Sequence, residues 1–141
     1  MRSGSKKDNN FIALILPYLN NSSNWHIREE LLHLLIKCFL STKEPKEFDS
    51  YQILDSILRL FGDKKEKIRN LALEAIAAFA SIGDRKKVNE ILYSLKVDKD
   101  VRELVQSRLD YGMYPVLNQQ GVVEFHYQEM SNNNYDCESV A

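Results

Sequence analysis

Three stretches of this chain repeat one pattern: a polar turn, a β-branched residue, an arginine and then an apolar-periodic helix. They are NWHIREELLHLLIKCFL at 24–40, EKIRNLALEAIAAFASI at 66–82 and the shorter KDVRELVQSRL at 99–109. The marker pairs Ile27-Arg28, Ile68-Arg69 and Val101-Arg102 fall about 41 and 33 residues apart, the spacing of helical repeats. In the first stretch Ile27, Leu31, Leu34, Leu35 and Cys38 recur at helical intervals, which predicts one apolar stripe facing a core.

A shorter helix precedes each long one. The first is Asn10–Leu19, carrying Pro17 near its end. Asp49, with Gln52 in capping-box position, opens the second, which carries Ile53, Leu54, Ile57, Leu58 and Phe61 and stops at Gly62. The third is Arg85–Leu95. Asp63 with Glu66, and Asp100 with Glu103, offer further capping boxes for the long helices. Ser41–Phe48, with Pro45, reads as a loop. The turns inside each pair are only about four or five residues, so paired helices lie antiparallel. One hairpin cannot bury both apolar faces, so the pairs must stack. The expected fold is all-α, an α-solenoid of three helical hairpins.

Beyond Tyr111 the composition shifts to Val, Tyr and Phe with Pro115 and Gly121. This predicts an extended segment with a short strand at Val122–Tyr127, packed back over the open end of the last hairpin. Residues 1–9 are expected to be a disordered leader, 10–127 the repeat domain and 128–141 a disordered tail.

At 141 residues the chain is one domain's worth, and its 44% apolar content suits a modest core. A formal net charge of −1 argues against a protein that coats nucleic acid. The longest apolar run, Phe11–Leu19, is far short of the ~20 residues of a membrane span. Met1–Asn10 has no apolar region beside its charges and is not a secretory signal. Cys38 on a helix stripe and Cys137 in a polar tail read as thiols in a reducing compartment. The expected setting is therefore cytosolic or cytoskeletal.

On one edge of such a solenoid the intra-hairpin turns form a strip. It contains Asn24, Trp25 and His26, then Lys64, Lys65 and Lys67, then Lys96 and Lys99. A tryptophan anchor with spaced lysines suits a large acidic protein partner. The alternative is that Trp25 plugs the hairpin's end and the lysines solvate turns. Arg28, Arg69 and Arg102 sit where a helix dipole disfavours cations. They are expected to be structural, each bonding an acidic group or carbonyl of its own or the neighbouring hairpin, with Asp63 and Asp98 as candidates. Glu30-Leu-Leu-His33 matches the Glu-x-x-His motif of di-iron bundles, but that site needs the motif twice and it occurs once. No phosphate loop, nucleophile elbow or zinc-protease motif is present. The sequence reads as a non-enzyme without cofactor or metal.

The hairpins with Ile-Arg or Val-Arg opening the second helix resemble HEAT repeats. NWHIREELLHLLI and KEKIRNLALEAIAAFASIG resemble more specifically those of TOG domains. The closing run VQSRLDYGMYPVLNQQGVVEFHY is similar to the end of a TOG domain in the crescerin (TOG array regulator of axonemal microtubules) group. The matching features are Arg108-Leu109, Pro115-Val116-Leu117 and Gly121-Val122-Val123-Glu124. The resemblance implies tubulin binding through the intra-hairpin turns and microtubule regulation, often in cilia. By position, Trp25, Lys64, Lys65, Lys67, Lys96 and Lys99 would face αβ-tubulin. A TOG domain has about six repeats and this chain has three. A structural adaptor that binds another protein through its helix faces is the competing expectation. The first hairpin, with Phe11, Ile12, Leu14, Ile15 and Leu16, lacks a polar outer face, so it is expected to be covered by further repeats or a second copy.

Overall fold

The computed structural model describes residues 2–42 and 48–126, with side chains from residue 11 onward. Six helices carry the fold: α1 (Arg2–Asn21), α2 (Trp25–Ser41), α3 (Ser50–Leu58), α4 (Glu66–Ile82), α5 (Arg85–Ser94) and α6 (Lys99–Tyr111). They form three antiparallel hairpins. α1, α3 and α5 make one layer, and α2, α4 and α6 the other. The chain is an α-solenoid of three HEAT-like hairpins with an extended C-terminal segment.

Helix ends follow local chemistry. Asn24, Asp49 and Asp84 each accept a hydrogen bond from a backbone N–H of the first turn they precede. The last turn of the α3 segment tightens to a 3₁₀ turn at Arg59–Gly62. α5 ends in a Schellman motif: Lys96 N–H donates to Tyr93 O and Val97 N–H to Leu92 O. The left-handed position of that motif is held by Lys96 (φ 55°) where glycine is usual. Lys96→Gly is therefore expected to raise unfolding free energy by roughly 0.5–1 kcal/mol, the relieved Cβ strain being partly offset by unfolded-chain entropy. Urea unfolding of the two proteins measures it; a loss of stability would mean the lysine stem contributes packing that outweighs the strain.

Several expectations need correction. α1 runs from Arg2, ahead of the expected start at Asn10. Ser3, Gly4, Ser5, Asp8 and Asn9 are weak helix formers, so the apolar segment beyond them supplies the nucleus of α1. The buried stripe of α2 is Leu32, Leu35, Ile36 and Phe39, while Ile27 and Leu34 are exposed and Leu31 and Cys38 half-buried. α2 has apolar residues on two sides: Leu35 of the expected stripe is in the core and Leu31 and Cys38 pack at its margin, while Ile27 and Leu34 turn outward. Neither Asp63 nor Asp100 caps a long helix: α4 follows Lys65 and α6 follows Asp98. Most of the Ser41–Phe48 loop, Cys137 and the 128–141 tail lie outside the described residues.

One core runs through all three hairpins. Phe39 lies at its centre, with the Phe79 ring edge-on at 5.1 Å and Phe48 at 6.0 Å. Ala72, Ala75, Ala77 and Ala78 are fully buried on α4, letting α2 pack closely against it.

After α6, Gly112 (φ 79°) turns the chain, and a small antiparallel hairpin follows, β1 (Val116–Leu117) with β2 (Val123–Glu124). Its turn is tied by Asn118, whose side chain accepts from Gln120 and Val122 N–H. This strap leaves α6 but lies against α2, with Phe125 edge-on to His33 at 5.9 Å. It crosses the second layer and does not simply close the last hairpin.

Candidate functional site: the edge of the intra-hairpin turns

The first two turns are joined into one surface by three contacts. Trp25 opens α2 and is half-buried at the margin of the core. Its indole lies on the His26 imidazole with centroids 3.8 Å apart, and Lys65 Nζ stands 4.7 Å from the ring centre. A cation placed so is worth about 0.5–1 kcal/mol at an exposed site. Arg28 Nε donates to Asp63 Oδ2 at 2.7 Å, linking α2 to the second turn. Lys67 Nζ pairs with Glu29 at 2.9 Å, linking α4 back to α2. The hydrogen bond from Lys67 holds the Glu29 carboxyl below its usual range, with burial acting in the opposite direction.

The three repeated arginines share one geometry. Arg28 Nη1 donates to Ser22 O at 2.8 Å and Arg69 Nη1 to Asp63 O at 2.6 Å; Arg102 Nη1 donates to Val97 O. Each guanidinium folds back five or six residues onto carbonyls of the turn before its own helix. Those carbonyl dipoles offset the unfavourable position of a cation at a helix N-terminus. Asp63 serves twice, through its carboxylate to Arg28 and its carbonyl to Arg69, and its Oδ1 also accepts from Lys65 N–H. Asp98, the other acidic candidate, accepts a backbone bond from Arg102 N–H through its carbonyl. The Arg102 guanidinium instead rests 4.9 Å from the centre of the Tyr93 ring.

The remaining sequence candidates are more dispersed. Asn24 is engaged as the α2 cap. Lys64 and Lys96 are exposed, and Lys99 pairs with Glu103 of its own helix at 3.7 Å. Among the described residues no side-chain hydrogen bond or ion pair joins the third turn to the second. Trp25, Lys65 and Lys67 are thus brought together; Lys96 and Lys99 belong to a separate part of the edge.

Two features went unread in the sequence. Arg108 and Glu74, only 2% and 3% exposed, form a bidentate ion pair with both bonds at 2.8 Å. Arg108 also donates to Met113 O at 2.7 Å, so the pair fastens α6 and the start of the strap to α4. Glu74 interrupting the apolar run LALEAIAAFA was the available signal, since a carboxylate there demands a buried partner. The second feature is an open groove of about 570 Å³ between α5 and α6, lined in part by Asn89, Tyr93, Arg102 and Gln106. No group of three or more His, Cys, Asp or Glu side chains converges among the described residues. No helix among them is long and apolar enough to cross a membrane.

This fold and its turn edge define a helical-repeat protein of the HEAT-like class. No protein-family model matches the chain. It is 29% identical over 120 residues to the mouse (Mus musculus) TOG array regulator of axonemal microtubules protein 1, and 28% identical to the human (Homo sapiens) protein. Each match covers 81% of this chain but only 7% of the relative. A solved TOG-domain structure, from work stating that crescerin uses a TOG domain array to regulate microtubules in the primary cilium, superposes with a TM-score of 0.74 at 28% identity. That match covers 86% of this chain and half of the solved one. Sequence and structure thus agree on a likeness to a TOG domain of the crescerin group.

Proposed function

We propose that this chain is a protein-interaction module that binds αβ-tubulin through the edge of its intra-hairpin turns and takes part in microtubule regulation. The observation carrying this reading is the linkage of Trp25, Lys65, Lys67 and Arg28 across the first two turns. It presents a partly open indole flanked by cations, the chemistry that suits an acidic protein surface. The names of the similar proteins support the same direction, and the cytoskeleton, including the cilium, is the corresponding setting. The residues assigned to tubulin are Trp25 with its neighbours Asn24 and His26, then Lys64, Lys65 and Lys67, with Lys96 and Lys99 extending the surface. Arg28, Arg69 and Arg102 shape the turns. In this reading the module is not an enzyme.

Co-elution with αβ-tubulin in size-exclusion chromatography at low salt tests the proposal. Trp25→Ala is expected to weaken binding by roughly tenfold or more, as loss of an aromatic anchor does. Lys64→Glu with Lys65→Glu should abolish co-elution, and moderate salt should weaken the wild-type complex. Binding that survives both variants would reject the turn edge. Binding lost instead on changes in the α5–α6 groove would favour an adaptor that uses its helix faces.

A further inference from the structure

The groove between α5 and α6 sets polar side chains over an apolar floor, Leu92, which is 1% exposed. Its walls are not those of a face made for stacking. In the register of Ile68-Arg69 and Val101-Arg102, the lining residues Gln106 and Asp110 correspond to Leu73 and Ala77 of α4. Leu73 packs against the core and Ala77 lies within it. A helix stacked on Gln106 and Asp110 would have to strip water from an amide and a carboxylate. Those polar groups are already organised. Arg85 donates to Gln106 Oε1 at 2.9 Å and to the Asp110 carboxylate, and Gln106 Nε2 donates to Asn89 Oδ1. This chain of bonds orients both amides and leaves Asn89 Nδ2 as a donor on the groove wall.

Arg102 carries the charge that the groove does not compensate. Arg85 pairs with Asp110 and Lys99 with Glu103, whereas among the described residues no carboxylate pairs with Arg102. Arg28 shows the complementary group. Both arginines send Nη1 to a carbonyl of the preceding turn, Ser22 O for Arg28 and Val97 O for Arg102. Arg28 then uses Nε and Nη2 to hold both oxygens of Asp63, at 2.7 and 3.3 Å. On Arg102 the Tyr93 ring, 68% exposed, supports the flat face of the guanidinium at 4.9 Å. Stacking of that kind leaves the in-plane N–H groups for a carboxylate.

We infer that the α5–α6 groove is a binding site for an extended acidic peptide. A carboxylate side chain of the peptide takes the Nε and Nη2 bonds of Arg102, as Asp63 does on Arg28. A backbone carbonyl of the peptide accepts from Asn89 Nδ2, and a neighbouring apolar side chain lies along the Tyr93 ring above Leu92. The ten residues of α5 make about 15 Å of helix, a length that four or five extended residues span. This site does not rest on the turn-edge reading.

Isothermal titration calorimetry of the whole chain with the peptide acetyl-Ser-Leu-Glu-Leu-Ser-amide tests this. The expected result is one saturable site with a dissociation constant between about 10 and 500 µM. Glutamine in place of the peptide's glutamate should weaken binding about tenfold or more, because the charge-assisted bidentate bond is lost. Arg102→Lys keeps the charge but not the planar fork, and should weaken binding about fivefold or more. Asn89→Asp still accepts from Gln106 but sets a second carboxylate beside that of the peptide, and should take binding below detection. Leu104→Ala, about 160° around α6 from Gln106 and 48% exposed, should leave the affinity unchanged. Helicity by circular dichroism is the folding control for each variant. A wild-type chain that does not bind the peptide would overturn the inference. So would equal affinity for the glutamine peptide, wild-type affinity in both groove variants, or binding lost on Leu104→Ala.

Discussion

Glu74→Ala is expected to lower the free energy of unfolding by about 3–5 kcal/mol, the usual cost of stranding one member of a buried ion pair. Arg108 would keep its bond to Met113 O but lose both carboxylate bonds while remaining inside the protein. The Tyr111 ring, 5.6 Å from the guanidinium, offers a weak substitute. Against a total stability of about 5–15 kcal/mol the loss is severe. At roughly 2–4 °C per kcal/mol for a domain of this size, the melting temperature should fall by about 10 °C. The strap should loosen too, because its first carbonyl is held by the same guanidinium. Replacing both partners, Glu74→Met with Arg108→Met, should recover most of the loss, since a matched apolar pair has no charge to desolvate. Arg108 Nη1 already makes no hydrogen bond in its buried site, so the native pair is not fully compensated. Thermal melts of the three variants decide the matter. A loss below about 1 kcal/mol for Glu74→Ala would place the pair in the range of solvent-screened surface bridges.

The hairpin architecture was legible because it rests on local signals that act alone. Asn24, Asp49 and Asp84 open helices by capping, and Gly83 follows the end of α4. The repeated Ile-Arg or Val-Arg pairs were legible for a related reason: each arginine finds its carbonyls within six residues, inside its own repeat. What depends on distant partners was not legible. Glu74 and Arg108 are 34 residues apart, and nothing near either one names the other. The course of the strap was missed on the same ground, because Phe125 meets His33 across most of the chain. The candidate edge is intermediate. Hairpin stacking alone places Trp25 near the Lys64–Lys67 turn, but the approach of Lys65 Nζ to the indole depends on rotamers that no spacing rule specifies.

The two apolar sides of α2 give the sharpest contest between periodicity and packing. Leu34 belongs to the stripe that spacing selects, yet it is 40% exposed; Phe39 lies outside that stripe and is fully buried. Phe39→Ala is expected to cost about 3–5 kcal/mol, the transfer term plus the cavity left between Phe48 and Phe79. The close packing of α2 on the buried alanines of α4 limits how far the site can collapse, which favours the upper part of that range. Leu34→Ala should cost well under 1 kcal/mol in the monomer, because a side chain that exposed surrenders little on truncation. Chemical denaturation of both variants measures the difference directly. If Leu34→Ala proved the more damaging, the helix would be rotated and the outward apolar face of the first hairpin would be its core.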